Sequence, residues 1–185
     1  KAAMKALVKG FCMTNQQDRR TLRLTEGVAA HAGAIAGLIR AAFGGEDEAR
    51  LVEALRAEDA VVAELAALEG AQAVGHVLFS AVRAEPATLA VAALAPLAVV
   101  PERQRAGIGG ALIRAGLELC RERGVEAVAV LGDPAYYTRF GFALETAQPL
   151  SSVYQGAHFM ALELRPGVLA GGNWKLTYPR AFEGV

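Results

Sequence analysis

Apolar positions along the chain change period several times, and each change marks an element. "TLRLTEG" predicts a first strand. "VAAHAGAIAGLIRAAF" places Val28, Ile35, Leu38, Ile39 and Phe43 near one face of a helix, which Gly44 and Gly45 end. "EDEARLVEALRAED" predicts a second helix. Acids fill its first turn, where the helix dipole favours them, and Leu51, Val52 and Leu55 form its buried stripe. Three strand-like segments follow, "AVVAELAALEG", "AQAVGHVLFSAVR" and "ATLAVAALAPLAVV", with turns at Glu69-Gly70 and Glu85-Pro86. The third is nearly all apolar, as a strand covered on both faces would be.

Residues 101–131 read as a strand end, a glycine turn, a helix and a second strand, which is a parallel crossover unit. The helix is expected from Ile108 to Arg123, with Ile108, Ala111, Leu112, Ala115 and Leu119 on one face and Gly124 closing it. Arg114 and Glu118 form an i,i+4 pair on the opposite side. "VEAVAVL" is the returning strand, bounded by Gly132-Asp133-Pro134. "FALETAQP", "AHFMALELRPG" and "NWKLTYPRAF" supply smaller strands and turns. The order is mixed α/β, with one domain expected over residues 21–185 after a leader at 1–20, in which Met13 is a candidate native start.

Composition narrows the class. The 185 residues are 54% hydrophobic and 21% charged, enough for a buried core. Lys plus Arg equals Asp plus Glu at 19 each, which argues against a nucleic-acid partner, since such proteins usually carry a basic surplus. The longest apolar run, "LAVAALAPLAVVP", is broken by Pro96 and too short to cross a bilayer, so no membrane partner is expected. "KAAMKALVKGFCMTNQQDRR" lacks the apolar core of a signal peptide. Cys12 and Cys120 give neither a disulfide framework nor metal-ligand spacing, so a reducing, cytoplasmic setting without a metal is expected.

The candidate chemistry begins in "PERQRAGIGGALIRAGLELCRERG", where Gly107, Gly109 and Gly110 crowd the start of a helix. Glycine costs a helix about 1 kcal/mol per residue against alanine. A helix start exposes unbonded backbone N–H groups and the positive end of the dipole, and removing side chains there lets an anion reach them. That is a phosphate cradle. A Walker loop needs Lys-Ser or Lys-Thr after its last glycine, but Ala111-Leu112 follow Gly110. The dinucleotide fingerprint needs a small third residue where Leu112 stands. Although Glu126 lies 19 residues beyond Gly107, near the place of a ribose acid, the match is weak.

Gln104-Arg105-Ala106-Gly107-Ile108-Gly109 reads Q-x-x-G-x-G and resembles the acetyl-coenzyme A signature of the GNAT N-acetyltransferase superfamily. "GDPAYYTRFGF", residues 132–142, resembles the family's later motif, with Tyr137 standing four residues before Gly141-Phe142. The resemblance covers roughly residues 21 to 165, and "FMALELRPG" and "YPRAF" resemble a bacterial subgroup of mostly uncharacterised members. It implies an α/β fold with a central mixed β-sheet flanked by helices and a β-α-β acetyl-coenzyme A cradle. In that family the loop amides, here from Gln104, Arg105, Ala106, Gly107, Ile108, Gly109 and Gly110, hold the pyrophosphate. Leu97, Ala98 and Val99 correspond to the strand that presents backbone groups to the pantetheine arm, and Asp133, which organises the turn before Pro134, joins the cofactor-binding set.

Acetyl transfer needs the thioester placed and polarised, the amine deprotonated and the departing thiolate protonated. Backbone N–H groups near Leu97–Val99 would polarise the carbonyl. Tyr137 is assigned the acid, a phenol of ordinary pKa near 10, and also a place beside the cofactor, with Tyr136 its rival. The base is open, because "ATLAVAALAPLAVV" holds no glutamate. Glu102 stands too near the pyrophosphate site, His76 reads first as a packed core histidine, and His31 and His158 are weaker still. Arg103 and Arg105 are read as phosphate contacts, Cys120 as packed, and Trp174 as a packing residue with a place on the acceptor side as its alternative. The expected partners are acetyl-coenzyme A and a small-molecule amine or peptide acceptor, with the protein a monomer or homodimer. The competing function is an acyl-coenzyme A binding module without turnover.

Overall fold

The computed structural model describes residues 21–184, so the expected leader at 1–20 lies outside the described residues. The described residues form eight strands and four α-helices in the expected mixed order. They are β1 (Leu22–Thr25), α1 (Ala32–Phe43), α2 (Asp47–Ala57), β2 (Val61–Glu69), β3 (Gln72–Glu85), β4 (Val91–Val99), α3 (Ile108–Glu122), β5 (Ala127–Leu131), α4 (Pro134–Tyr137), β6 (Leu150–Ser151), β7 (Phe159–Glu163) and β8 (Trp174–Thr177). The main path of the sheet runs β1-β2-β3-β4-β5-β7. Its pairs are antiparallel except β4 with β5, the parallel pair joined through α3. The far end of β3 carries β8, which in turn pairs with β6.

Two layers cover the sheet. On one face α3 packs Ile108, Leu112, Ile113 and Leu117 against Ala63, Leu65, Val77 and Phe79. On the other, Ile35, Leu38 and Ile39 of α1 and Leu51, Val52 and Leu55 of α2 cover Ala66, Leu68, Leu78 and Ala98. β4 lies between these layers, which is why its sequence shows no polar alternation.

The predicted helices needed two corrections. Residues 28–43 do not form one helix. Val28–His31 is a separate 3₁₀ turn, and His31 precedes α1 at φ −122° and ψ 13°, outside helical geometry. Val28 therefore lies outside α1, though it still packs against the cluster that holds Ile35, Leu38 and Ile39, and Phe43, at the last turn, is 45% exposed. In α3 the buried stripe is centred further round than expected. Ile113, Gly116, Leu117 and Cys120 are buried, while Ala115 and Leu119 lie at its margin. Gly116 explains the rotation, because a side chain there would collide with the fully buried ring of Phe79. The expected Arg114–Glu118 pair is replaced by Arg121–Glu118 at 2.6 Å.

β3 and β4 fall out of register between Val77/Leu97 and Phe79/Leu94, so β4 holds extra backbone at Ala95 and Pro96. β4 pairs with β5 only from Val91 to Leu94. Beyond that point the two parallel strands separate, and the β5-facing edge of β4 at Leu97–Val99 has no strand neighbour among those pairs. A gap between parallel strands, ahead of a helix start, is where open α/β sheets bind ligands.

Candidate active site

The loop before α3 is bent so that its backbone faces outward. Arg105 has φ 62° and Gly107 φ 84°, both left-handed, with Ala106 between them. Such a loop followed by a helix start gathers successive N–H groups around one concavity. Gly107 caps α3 without a side-chain hydrogen bond, so no side chain competes for those donors. The Gln104 amide holds the loop to the end of β4 by donating to the Val99 carbonyl at 3.2 Å.

This concavity is the floor of a cleft of about 720 Å³. Leu97, Val99, Gln104, Arg105, Gly107, Ile108, Gly109, Gly110 and Asp133 all line it, which brings together most of the predicted cofactor-binding set. Ala98 does not. Its side chain alternates onto the opposite face and is buried beneath α1 and α2, leaving only its backbone to serve. Ala106 is exposed in the loop and is not part of the wall, and Tyr137 belongs to a different cavity. Asp133 organises the turn as expected, accepting from the Ala135 N–H at 2.9 Å and capping α4.

The cationic rim is larger than expected. Arg103 and Arg105 both line the cleft, and Arg103 is also paired with Glu69, a nearly buried carboxylate. Arg114 and Arg139, which sequence reasoning missed, line the cleft together with Arg105. Arg114 lies over the Phe140 ring at 5.2 Å and Arg139 over the Tyr136 ring at 4.4 Å. Arg114 was misread because one helix face seemed solvent-directed; only the approach of α4 shows that it borders a cleft.

A second cavity, of about 330 Å³, opens on the α1–α2 side of the gap. Leu97 lines both spaces, so they adjoin where β4 departs from β5. The adjacent tyrosines divide between them. Tyr136 lines the first cleft and Tyr137 the second, with ring centroids 5.1 Å apart and planes at 83°. Such a split is what a short helix imposes on neighbouring side chains. The spacing of Tyr137 to Gly141-Phe142 now has a physical basis. Gly141, at φ 93°, turns the chain so that the buried Phe142 meets the Tyr137 ring edge to face at 5.8 Å. On the other side Gly132 leaves room that any Cβ would take from the same ring. Burial pushes the Tyr137 phenol up to about 12, helped by its neighbour Tyr136, so it is neutral throughout the physiological range.

The base candidates separate clearly. His76 is fully buried under α1 and α2, with Nε2 2.7 Å from Glu64 Oε1, and lines neither cavity. Glu64 also accepts from Arg56 Nε at 3.1 Å. Burial alone would raise the Glu64 pKa, but its bonds to His76 and Arg56 outweigh that and hold it below the usual glutamate range. Glu102 and His158 are exposed and His31 caps α1; none of them lines either cavity. Glu126 is structural, accepting from Ala90 N–H at 3.0 Å and pairing with Arg165 at 2.7 Å. The Cys120 thiol is pushed up to about 12 by burial and is inert packing. Trp174 is packing too, donating from Nε1 to Thr88 Oγ1 at 3.1 Å outside the second cavity. The carboxylate sequence reasoning missed is Glu48, in the first turn of α2, which lines the second cavity.

A model of the acetyltransferase (GNAT) family matches residues 32–142, which include the loop, α3 and the tyrosine turn. The chain belongs to the GNAT family of acetyltransferases. Among relatives, it is 34% identical to the uncharacterised N-acetyltransferase YhbS of Escherichia coli over 151 residues, 80% of this chain and 90% of YhbS. It is 44% identical to the uncharacterised N-acetyltransferase YjhQ of E. coli over 106 residues, 55% of this chain and 58% of YjhQ. The crystal structure of E. coli YhbS in complex with CoA superposes with a TM-score of 0.81 at 32% identity, over 92% of this chain and 96% of that one. A GNAT acetyltransferase from Brucella melitensis in complex with acetyl-CoA gives 0.73 at 33% identity, over 87% and 97%. The GNAT fold expected from the sequence is thus the fold found, and the bacterial relatives are of the uncharacterised kind anticipated. Among the described residues no helix is long and apolar enough to cross a membrane.

Proposed function

We propose that residues 21–185 act as one catalytic unit that transfers the acetyl group of acetyl-coenzyme A to a primary amine. The observation that carries this reading is the meeting of the two spaces at Leu97, one floored by a helix start without side chains and the other walled by Tyr137. The first cleft fits a nucleotide thioester. Backbone N–H groups from Gly107 to Gly110 would take the pyrophosphate, and Arg105, Arg114 and Arg139 would answer further phosphate charge. The exposed edge of β4 at Leu97–Val99 would receive the pantetheine arm and aim an N–H at the thioester oxygen.

In the transfer, the amine nitrogen's lone pair forms the N–C bond, the C–S bond breaks, and the sulfur keeps its electron pair. Tyr137 gives its phenolic proton to that sulfur, and the N–H proton released on amide formation restores the phenol. An acceptor that arrives as an ammonium ion first loses one proton to solvent, so the net reaction releases one proton. A phenol held near 12 is a weak acid for this role but is always protonated when the thiolate leaves. The ammonium proton leaves to solvent, so no side chain named here is assigned as base.

A coenzyme A binding module without turnover remains the competing reading, and release of free thiol separates the two. Incubating the full chain with acetyl-coenzyme A and a panel of primary amines is expected to release coenzyme A only when an acceptor is present. Tight acetyl-coenzyme A binding with no amine-dependent thiol release across the panel would favour the binding module.

A further inference from the structure

The second cavity carries one acid and no base. Glu48 is the sole Asp or Glu among its described lining residues, and no Lys, Arg or His joins it. Its neighbours in sequence are engaged elsewhere, Glu46 with Arg40 at 2.7 Å and Asp47 with Arg50 at 3.7 Å, whereas Glu48 has no ion-pair partner among the described residues. The rest of the wall is apolar or aromatic. Phe43, Tyr154, Phe159, Tyr178 and Phe182 face aliphatic side chains of β4 and β5. The aromatic side is tightly ordered, with Tyr154 on Tyr178 at 4.9 Å, Tyr178 on Phe182 at 5.4 Å, and the Tyr178 hydroxyl 3.1 Å from Ser152 Oγ.

Resting on the acetyl-transfer reading, we propose that the acceptor is a primary monoamine with an apolar, aromatic-sized body, and that Glu48 receives its ammonium group and sets this specificity. Three exclusions follow from the wall. A volume of about 330 Å³ is at the small end of ligand pockets, which leaves no room for a folded tail or an aminoglycoside. A second ammonium would be desolvated against aromatic and aliphatic side chains with no partner, a large penalty for an unpaired charge. An amino acid would carry a carboxylate into a cavity whose only fixed charge is negative, with no cation to meet it. Apolar walls also lower an ammonium's pKa, so the group that Glu48 captures sheds its proton more readily once it leaves the carboxylate for the thioester.

The test uses the full chain with 2-phenylethylamine, phenylalanine and spermidine as probes, acetyl-coenzyme A binding being measured first by calorimetry. The expected result is that 2-phenylethylamine exceeds the other two by about tenfold or more in kcat/KM. Glu48→Gln should raise its KM by about tenfold or more, Glu48→Asp should recover part of that loss, and the KM for acetyl-coenzyme A should hold in both. A role for Glu48 in helix stability alone would instead shift the melting temperature and leave the amine KM unchanged, and that overturns the proposal. Preference for spermidine or phenylalanine overturns it as well. If acetyl-coenzyme A binds but none of the three is acetylated, the monoamine class is wrong while the cofactor site stands. If acetyl-coenzyme A does not bind, the parent reading fails with it.

Discussion

At the residue scale, the two adjacent tyrosines carry the sharpest distinction. Tyr137 sits between Gly132 and Phe142, deep in the second cavity, whereas Tyr136 lies over the glycine helix start with its hydroxyl 2.6 Å from where a Gly109 Cβ would stand. Tyr137→Phe removes one hydroxyl and keeps the ring packing, so acetyl-coenzyme A binding should survive while kcat falls by about 10²–10⁴-fold, the usual worth of a general acid. Tyr136→Phe should have a much smaller effect. Steady-state kinetics of both variants check this, and exchanged effects would reassign the acid. Because the folded Tyr137 pKa is raised to about 12, its proton is retained well past neutral pH. The acid's ionisation should therefore leave no alkaline limb in the rate profile below about pH 10, where an unperturbed phenol would begin to show one. The resemblance of the Tyr137 to Gly141-Phe142 spacing to the family's later motif singled Tyr137 out in the sequence, and the structure gives that spacing a packing role against Phe142. Glu48 and Arg139 were not singled out there, because their relevance depends on which surfaces three separate elements bring face to face.

At the element scale, α2, β2 and β3 are tied together by one buried cluster. Arg56 reaches in from the end of α2 to Glu64 on β2, which also holds His76 on β3. His76 read as a packed, hydrogen-bonded histidine, and so it is; its partner was hidden because Glu64 stands in a largely apolar strand with no spacing to link it to His76 or Arg56. A carboxylate whose folded pKa is depressed stabilises the fold above its unfolded pKa and loses that contribution as pH falls through the folded value. Glu64→Gln should therefore lower stability at neutral pH, by about 3–5 kcal/mol if the remaining charges stay uncompensated. The gap between wild type and variant should begin to narrow as pH falls below the ordinary glutamate range, and close only once it passes the depressed folded value. Urea unfolding at pH 7 and at a series of pH values down the acid range measures both arms. The limits of reading elements from periodicity show in the same region. The break after His31 and the rotated stripe of α3 come from tertiary packing, the latter from the Phe79 ring that Gly116 admits.

At the scale of the whole molecule, the neutral balance of 19 basic and 19 acidic residues conceals a division of labour. The first cleft gathers arginines, and the second cavity, among its described lining residues, holds a single carboxylate beside aromatic side chains. With one ion pair to screen, the acceptor's KM should change only slightly between low and high ionic strength, while the KM for acetyl-coenzyme A should rise with salt because several phosphates are involved. Initial rates at two ionic strengths read both trends, and a steep rise in the acceptor's KM would contradict the charge count of its cavity. The mixed element order and the glycine-rich helix start were legible because they rest on local rules of strand period, crossover and helix-start glycine, and the fold followed from the resemblance of the two motifs to the family's. The second cavity was not legible, because its aromatic lining, Phe43, Phe159 and Tyr178, comes from segments far apart in the chain; Trp174 packs outside it. The most direct test of the account is calorimetric titration of acetyl-coenzyme A into wild type and Gly109→Glu, with circular dichroism and thermal melting to establish that both are folded. The account predicts binding to wild type and none to Gly109→Glu, whose carboxylate would occupy the place of the pyrophosphate. Equal affinity in a folded Gly109→Glu variant would contradict it.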